Sequence, residues 1–173
     1  MLTFEEARDR VLLRLRIDCS AVRSTGDELL ITDTIERPWG WVFFWSSQRC
    51  LTSGDPYDQI AGNALLIVNR FDGTLHWTGT ARSIEHYLEQ YEDKLDLQRG
   101  GWKLHIDEPA DNFLFVSSRL RMLAEVSLVE LRELKPKLPG VWRSGTRREI
   151  EPLHQQVEAS GVRCMLLPPG SQD

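Results

Sequence analysis

The segment from Glu36 to Ala81 constrains the fold more than any other part of the chain. It opens on an aromatic run, and side chains along a β-strand point alternately to the two faces of a sheet. One predicted face carries Trp39, Trp41, Phe43 and Trp45, and the other carries Gly40, Val42 and Phe44. Both faces are apolar, so at least one must be covered by another element. The run therefore predicts a central strand with an aromatic face.

Further strand signals lie on either side of this run. Apolar runs extend from Ala64 to Val68 and from Leu75 to Thr78. Asp72-Gly73 lies between them, and Asp-Gly between apolar runs is a strong hairpin signal. An earlier strand is predicted from Glu28 to Ile35 and should end at Pro38, which has no N–H for the sheet ladder. These strands predict an antiparallel sheet.

Two helices are predicted to flank the sheet. Thr3 and Glu6 form a capping-box pattern, and apolar residues at helical spacing behind them predict a helix over residues 4–17. Ser83 is the predicted N-cap of a second helix. The inward residues of that helix would be Ile84, Tyr87, Leu88, Tyr91 and Leu95. Gln98-Arg99-Gly100-Gly101 is polar and then flexible, which predicts a linker after a first domain at residues 1–97.

The pattern restarts after the linker and predicts a second, small α/β domain at residues 102–168. The predicted strands are Trp102 to Ile106, Phe113 to Leu120 and Val162 to Leu167. One predicted helix opens on Ser127, with Leu128, Leu131 and Leu134 inward. Another starts near Arg148 or Glu149, because Pro152 argues against an earlier start. The whole chain is thus predicted to be α+β, with a sheet and two flanking helices followed by two helices on a short sheet.

Composition and charge limit the classes of function. The chain is 41% hydrophobic and 27% charged, and no apolar run approaches the roughly 18 residues that would cross a bilayer. The N-terminus does not resemble a signal peptide, which predicts a cytoplasmic protein with no membrane partner. Residues 1–93 carry 9 Lys and Arg against 15 Asp and Glu, a balance of −6, whereas residues 94–173 carry a balance of +1. An acidic first half disfavours nucleic acid and suits a basic protein partner, although a merely solvated acidic surface fits equally well.

The sequence shows no catalytic or metal-binding pattern. Its four histidines and three cysteines are scattered without ligand spacing. Its serines lack a nucleophile elbow, and its glycines form no phosphate-binding loop. We therefore predict that the protein is not an enzyme and needs neither a cofactor nor a metal.

An ordered set of short motifs over residues 3–92 resembles the immunity protein 35 (YrhB-like) family of polymorphic toxin systems. The set comprises the GWVFFW strand, Thr52-Ser53-Gly54-Asp55, Ala61-Gly62-Asn63-Ala64, Asp72-Gly73, His76, Thr78-Gly79-Thr80-Ala81, Glu85, Tyr87, Leu88 and Tyr91. Leu65 departs from the pattern, since family members usually carry proline there. The resemblance implies a protein that binds and neutralises a cognate toxin.

The expected toxin-binding residues are aromatic anchors with an acidic rim. They are Trp39, Trp41, Trp45, Asp55, Tyr57, Asp58, His76 and Trp77. The tryptophans have two interpretations, as core under a helix or as a patch that grips the partner. Core is favoured for Trp41, and the loop from Thr52 to Asp58 is favoured as interface, because loops on a rigid sheet commonly carry recognition.

The second half is similar to the C-terminal domain of the bacterial ribosomal stalk protein over residues 102–168, closest at Ala159-Ser160-Gly161. That family docks translation GTPases through a glycine-bearing turn with adjacent lysines. The corresponding turn here, Ala124-Glu125-Val126-Ser127, has no glycine. The resemblance of this second half implies an alternative function, a translation-associated adaptor that binds a GTPase or a ribosomal partner.

Overall fold

The computed structural model describes residues 1–19, 26–53, 55–58, 60, 63–123 and 126–171. Several predicted turn residues lie outside this set, namely Ser24-Thr25, Gly54, Ala61-Gly62 and Ala124-Glu125. The chain divides into two compact units, Met1–Tyr87 and Leu88–Asp173. The division falls within one helix, Ile84–Gln98. The domain boundary at residues 98–101 stays a prediction.

The first unit is a four-stranded antiparallel sheet with helices, as predicted. Its elements are α1 (Phe4–Asp18), β1 (Leu29–Arg37), β2 (Gly40–Ser47), α2 (Gln48–Ser53), a 3₁₀ turn (Pro56–Asp58), β3 (Leu66–Asn69), β4 (Leu75–Trp77) and the first turn of α3 (Ile84–Gln98). The strands lie in the order β1-β2-β3-β4. The short helix α2 was not predicted, because six residues give too little periodicity to identify a helix.

Helix α1 covers one face of this sheet. The predicted capping box is present: the Thr3 hydroxyl accepts from the Glu6 N–H, and the Glu6 carboxylate accepts from the Thr3 N–H. Ala7, Val11 and Leu15 are spaced about one turn apart and are completely buried. They pack in one hydrophobic cluster with the inward side chains of β2 and β3.

The aromatic strand supplies most of that cluster. Trp41, Phe43 and Trp45 are buried under α1, and Val42, on the opposite face, is fully buried as well. Trp39 was predicted to share their face, but it lies in the turn before β2, outside this cluster. The reason is Pro38, which was predicted to end the first strand: β1 ends at Arg37, two residues beyond the predicted Ile35, the chain then turns, and strand alternation starts only at Gly40.

The β3–β4 hairpin forms at Asp72-Gly73 as predicted. Gly73 has a φ of +71°, which a residue without a Cβ adopts at little cost. The Asp72 carboxylate accepts from the Thr74 N–H at 2.9 Å and from the Thr74 hydroxyl at 2.8 Å. These hydrogen bonds from Thr74 lower the pKa of Asp72.

The second unit contains a three-stranded antiparallel sheet in the order β6-β5-β7. Besides the rest of α3, its elements are β5 (Trp102–Ile106), a 3₁₀ turn (Ala110–Asn112), α4 (Phe113–Leu123), α5 (Leu128–Leu134), a 3₁₀ turn (Lys135–Lys137), β6 (Gly140–Gly145), α6 (Arg147–Ala159) and β7 (Cys164–Leu167). Its own hydrophobic cluster includes Leu104, Ile106, Val116 and Leu120.

The prediction of a strand from Phe113 to Leu120 was wrong, because this segment belongs to helix α4. The apolar run suggested a strand, but only Val116 and Leu120 are fully buried, and they lie one helical turn apart. The third strand is instead β6, whose two glycines and preceding Pro139 conceal it in the sequence. The α/β domain was predicted with two helices, and the described residues between 102 and 168 form three.

Two smaller predictions in this unit also need correction. Ser127 caps α5 as predicted, and Leu131 and Leu134 are buried, but Leu128 is 59% exposed because it is the first helical residue. Helix α6 begins at Arg147, earlier than predicted, because Thr146 and Glu149 form a complete capping box. Pro152 is tolerated because it is exposed, so the carbonyl one turn before it can bond to water.

The buried carboxylate of Glu108 connects two segments of the second unit by hydrogen bonds. Glu108 is 4% exposed and accepts hydrogen bonds from the side chain of Arg163, from Asn112 Nδ2 and from the Arg163 N–H. The Arg163 guanidinium, then Asn112, hold the pKa of Glu108 at about 2 instead of 4.5. The turn after β5 is thereby joined to the segment before β7.

Stability of the second unit should fall at acid pH because of this carboxylate. A lowered folded-state pKa stabilises above the ordinary value of 4.5, and the contribution is lost as pH falls toward about 2. We expect a loss of about 2 kcal/mol, below the full linkage value because Arg163 is largely exposed. We would measure the free energy of unfolding in urea at several pH values between 4.5 and about 2. The free energy of unfolding should depend less steeply on pH in Glu108→Gln than in the wild type. Glu133→Gln, at an exposed position of the same unit, is the control and should keep the wild-type slope. Equal slopes in all three proteins would contradict the prediction.

Candidate partner-binding surface

The predicted partner-binding residues lie in separate places in the first unit. Trp41 and Trp45 are 5% and 4% exposed and belong to the cluster under α1. Trp39 is buried in the turn before β2, where its carbonyl accepts from the Arg70 N–H at 2.9 Å. A partner that docked over these three tryptophans could contact only the edges of their rings. Their role in partner binding stays a prediction.

Asp55, Tyr57 and Asp58 are brought together at the 3₁₀ turn of the first unit, Pro56–Asp58. The Asp55 carboxylate accepts from the Tyr57 N–H at 2.8 Å, and its carbonyl accepts from the Asp58 N–H at 3.0 Å. The Ser53 hydroxyl in turn accepts from the Asp55 N–H. These bonds fix the backbone and leave the Tyr57 side chain 96% exposed. The turn therefore presents a large amphipathic ring to solvent from a backbone that is held by its own hydrogen bonds.

One of the two acidic side chains at this turn is paired within the protein. Asp58 forms an ion pair with Arg49 of α2 at 2.7 Å, and its side chain is 14% exposed. Asp55 caps the turn, as described, and remains exposed. Of the two predicted rim carboxylates, Asp55 is therefore the one more open to a partner.

His76 and Trp77 are neighbours on β4 and so point to opposite faces of the sheet. Trp77 lies on the α1 side, where Nε1 donates to Asp18 Oδ2 at 2.9 Å and the ring meets Trp45 edge to face at 6.1 Å. His76 is exposed and pairs with Ile67 across the β3–β4 ladder. The structure thus joins Trp77 to the core tryptophans and places His76 on the other side of the sheet.

The described part of the chain offers little for metal or thiol chemistry. It contains no group of three or more His, Cys, Asp or Glu side chains that could hold a metal ion. Burial raises the pKa of the Cys19 thiol, and it raises that of Cys164 to about 11, so these thiols are poor nucleophiles at neutral pH. None of the described helices is long and apolar enough to span a bilayer.

The sequence did not predict a cleft of about 470 Å³ at the end of β2, which we call the Tyr87 cleft. Its lining consists of Thr32, Phe44, Trp45, Ser46, Leu51, Asn63, Leu65, Gly79, Thr80, Arg82, Ile84 and Tyr87. Several of these residues come from motifs quoted above for the family resemblance. The spacing of Gly-Asn and Thr-Gly-Thr was visible in the sequence, but only the fold brings them to one place.

Hydrogen bonds among the motif residues build one wall of this cleft. The indole Nε1 of Trp45 donates to the Ala64 carbonyl at 2.6 Å, and Asn63 Nδ2 donates to the Trp45 carbonyl. The Leu65 N–H donates to the Thr78 hydroxyl at 2.9 Å. The end of β2, the segment before β3 and the end of β4 are thereby fixed to one another.

Gly79 and Tyr87 build the other wall. A Cβ added to Gly79 would lie 2.3 Å from the Tyr87 hydroxyl oxygen, so only glycine lets the ring approach. The hydroxyl accepts from the Ala81 N–H at 3.1 Å and from the Arg82 N–H at 3.2 Å. Tyr87 thus holds the chain between β4 and α3 in place.

The first unit is a small α+β domain with its aromatic strand in the core and its motif residues in structural roles. The family model of Immunity protein 35 matches residues 5–94, more than half of the chain, and the chain belongs to this family. It is also similar to the uncharacterized protein YrhB of Escherichia coli (strain K12), with 40% identity over 55 residues. That match covers 32% of this chain and 58% of the length of YrhB.

No solved structure matches the chain. The family match ends at residue 94. It therefore gives no support to the similarity between residues 102–168 and the ribosomal stalk protein, or to the adaptor function that this similarity implied.

Proposed function

We propose that this protein is an immunity protein that binds a cognate polymorphic toxin in the cytoplasm and neutralises it by protein–protein contact. Membership of the Immunity protein 35 family, over a segment that includes α1, all four strands and the start of α3, carries the proposal. Family membership implies a protein partner. The proposed mechanism is occlusion or restraint of the toxin and involves no catalytic step, cofactor, nucleic acid or membrane.

The 3₁₀ turn is the proposed centre of contact. Tyrosine is enriched among the residues that dominate binding energy, because a rigid ring buries a large area and its hydroxyl can still form a hydrogen bond. Tyr57 is almost completely exposed on a turn that Asp55 holds in place. A partner could therefore bury the ring without first reorganising the backbone, which lowers the entropic cost of binding.

Charge supports a basic toxin as the partner. The first 93 residues carry a balance of −6, and opposite charge steers two proteins into encounter. Asp55 lies beside the proposed anchor and would form the rim. The proposed set of binding residues also includes Asp58, His76, Trp77 and the ring edges of Trp39, Trp41 and Trp45, with Trp41 serving mainly in the core.

Co-expression with a toxin domain encoded beside this gene tests the function. Cells that produce the toxin alone should stop growing, cells that also produce the full chain should grow, and the two proteins should co-purify. Continued growth arrest, with no complex between the two folded proteins, would contradict the proposal for that toxin.

Tyr57→Ala is expected to weaken toxin binding without affecting folding. Loss of a central anchor costs about 2 kcal/mol or more, which corresponds to roughly a 30-fold rise in Kd. Because Tyr57 is 96% exposed, the free energy of unfolding should change by less than about 0.5 kcal/mol. Calorimetric titration and urea unfolding measure the two quantities.

Phe71→Ala is the matched control, since it removes another exposed aromatic ring, in the β3–β4 hairpin. It should leave the toxin affinity unchanged. If both variants lost affinity equally, or if neither lost any, the turn would not be the main contact surface.

A further inference from the structure

The Tyr87 cleft combines apolar walls with a single charged side chain. Phe44, Leu65 and Ile84 supply apolar surface, and among the described residues that line the cleft only Arg82 carries a charge. Apolar pockets with a few directed polar groups are typical of sites that receive one side chain or a short segment of a ligand.

The polar groups of the cleft favour a ligand that accepts hydrogen bonds. The Tyr87 hydroxyl already accepts two backbone N–H groups, which occupy both of its lone pairs. Towards the cleft it can therefore act only as a donor. The guanidinium of Arg82 is also purely a donor and is always charged. Two donors in one cleft, one of them cationic, match a carboxylate.

Asn63 supplies the complementary group. Its Nδ2 is engaged with the Trp45 carbonyl, so Oδ1 is the atom that can serve a ligand as an acceptor. A peptide offers backbone N–H groups to such an acceptor, whereas a free inorganic anion does not. The set of groups therefore fits a peptide carboxylate better than a phosphate or sulfate ion.

We propose that the Tyr87 cleft receives an acidic side chain, flanked by apolar residues, from an extended segment of the protein partner. This proposal rests on the proposed function and adds a second contact to the one at the 3₁₀ turn. The carboxylate lies against Arg82 and the Tyr87 hydroxyl, and the flanking apolar residues lie against Phe44, Leu65 and Ile84. A basic toxin would then carry one acidic residue that the immunity protein recognises specifically.

A titration with two synthetic peptides tests the cleft without the toxin. The probe is a pentapeptide with blocked termini, in which aspartate lies between two leucines. The control peptide has asparagine in place of the aspartate. In amide-resolved NMR spectra of the full chain, the aspartate peptide should shift the N–H signals of Gly79, Thr80, Arg82 and the Trp45 indole. Loss of the charge should weaken binding about tenfold. Concentrations up to about 5 mM detect even millimolar affinity.

Variants of the protein give the matched comparison. Arg82→Gln should bind both peptides equally weakly, whereas Arg37→Gln, at an exposed arginine of β1 outside the cleft, should behave like the wild type. Equal binding of the two peptides to the wild-type protein, shifts that lie elsewhere, or no shifts at all would overturn the proposal. These outcomes leave the immunity function standing, because they involve no toxin.

Charge reversal separates the two proposals in the toxin complex. Arg37→Glu makes the protein more acidic, so it should leave the affinity for a basic toxin unchanged or raise it. Arg82→Glu changes the net charge equally but places a carboxylate in the cleft, and it should raise Kd at least about tenfold. The same response from both variants would show that net charge matters and would overturn the cleft proposal. Failure of the wild-type protein to bind or neutralise the toxin would count against the function alone.

Discussion

Replacing Trp41 with alanine is expected to lower the free energy of unfolding of the first unit by about 3–5 kcal/mol. Trp41 is 5% exposed, meets Phe4 edge to face at 6.1 Å and lies under the Arg70 guanidinium at 4.7 Å. Its removal would open a cavity under α1 that the rigid sheet cannot close. A domain of ordinary stability, roughly 5–15 kcal/mol, would be severely weakened.

Urea unfolding followed by circular dichroism measures this effect, because the signal does not depend on the tryptophan that is removed. Leu13→Ala, at a 60% exposed position of α1, is the control and should cost less than about 0.5 kcal/mol. Where Trp41→Ala remains folded, it should bind the toxin almost as tightly as the wild type. Unchanged stability with lost binding would instead establish Trp41 as a contact residue.

Gly40→Ala is expected to disrupt the centre of the same sheet. A Cβ at this position would lie 1.9 Å from the Val68 carbonyl oxygen, a backbone atom that cannot move without breaking the β2–β3 ladder at Gly40 and Asn69. We expect a loss of about 3 kcal/mol from overpacking and backbone strain together. The thermal unfolding midpoint should fall accordingly.

Gly26→Ala separates the clash from the general cost of replacing a glycine. Gly26 has a φ of +76°, but an added Cβ would meet nothing within 4 Å, so only about 1 kcal/mol of backbone strain is expected. Equal falls of the thermal unfolding midpoint in Gly40→Ala and Gly26→Ala would mean that the close approach of β3 to Gly40 does not contribute to the loss of stability.

Periodicity was sufficient to predict most of the first unit. The Thr3 capping box, the alternation of β2 and the Asp72-Gly73 hairpin each combine a strong local preference with a pattern of burial that agrees with it. The failures occurred where these signals conflict. Phe113 to Leu120 has the composition of a strand, and only the tertiary burial of Val116 and Leu120 distinguishes it as a helix.

The candidate site was harder to predict, because burial and pairing are properties of the whole fold. Trp41 and Tyr57 are both plausible anchors in the sequence, yet one lies under α1 and the other is in solvent. The sequence also gave no sign that Arg49 would pair with Asp58. The Tyr87 cleft is formed by four separate segments of the chain, at residue 32 and at residues 44–51, 63–65 and 79–87, so no local pattern could indicate it.

The 3₁₀ turn also affects how such a protein could change during evolution. Its shape is set by the Ser53 hydroxyl and by the carboxylate and carbonyl of Asp55, whereas the Tyr57 ring makes almost no contact with the rest of the fold. Nearly any residue could therefore replace Tyr57 at little cost to stability. A lineage facing an altered toxin could explore new specificities by single substitutions at this position, while the scaffold inherited from its ancestors stays intact.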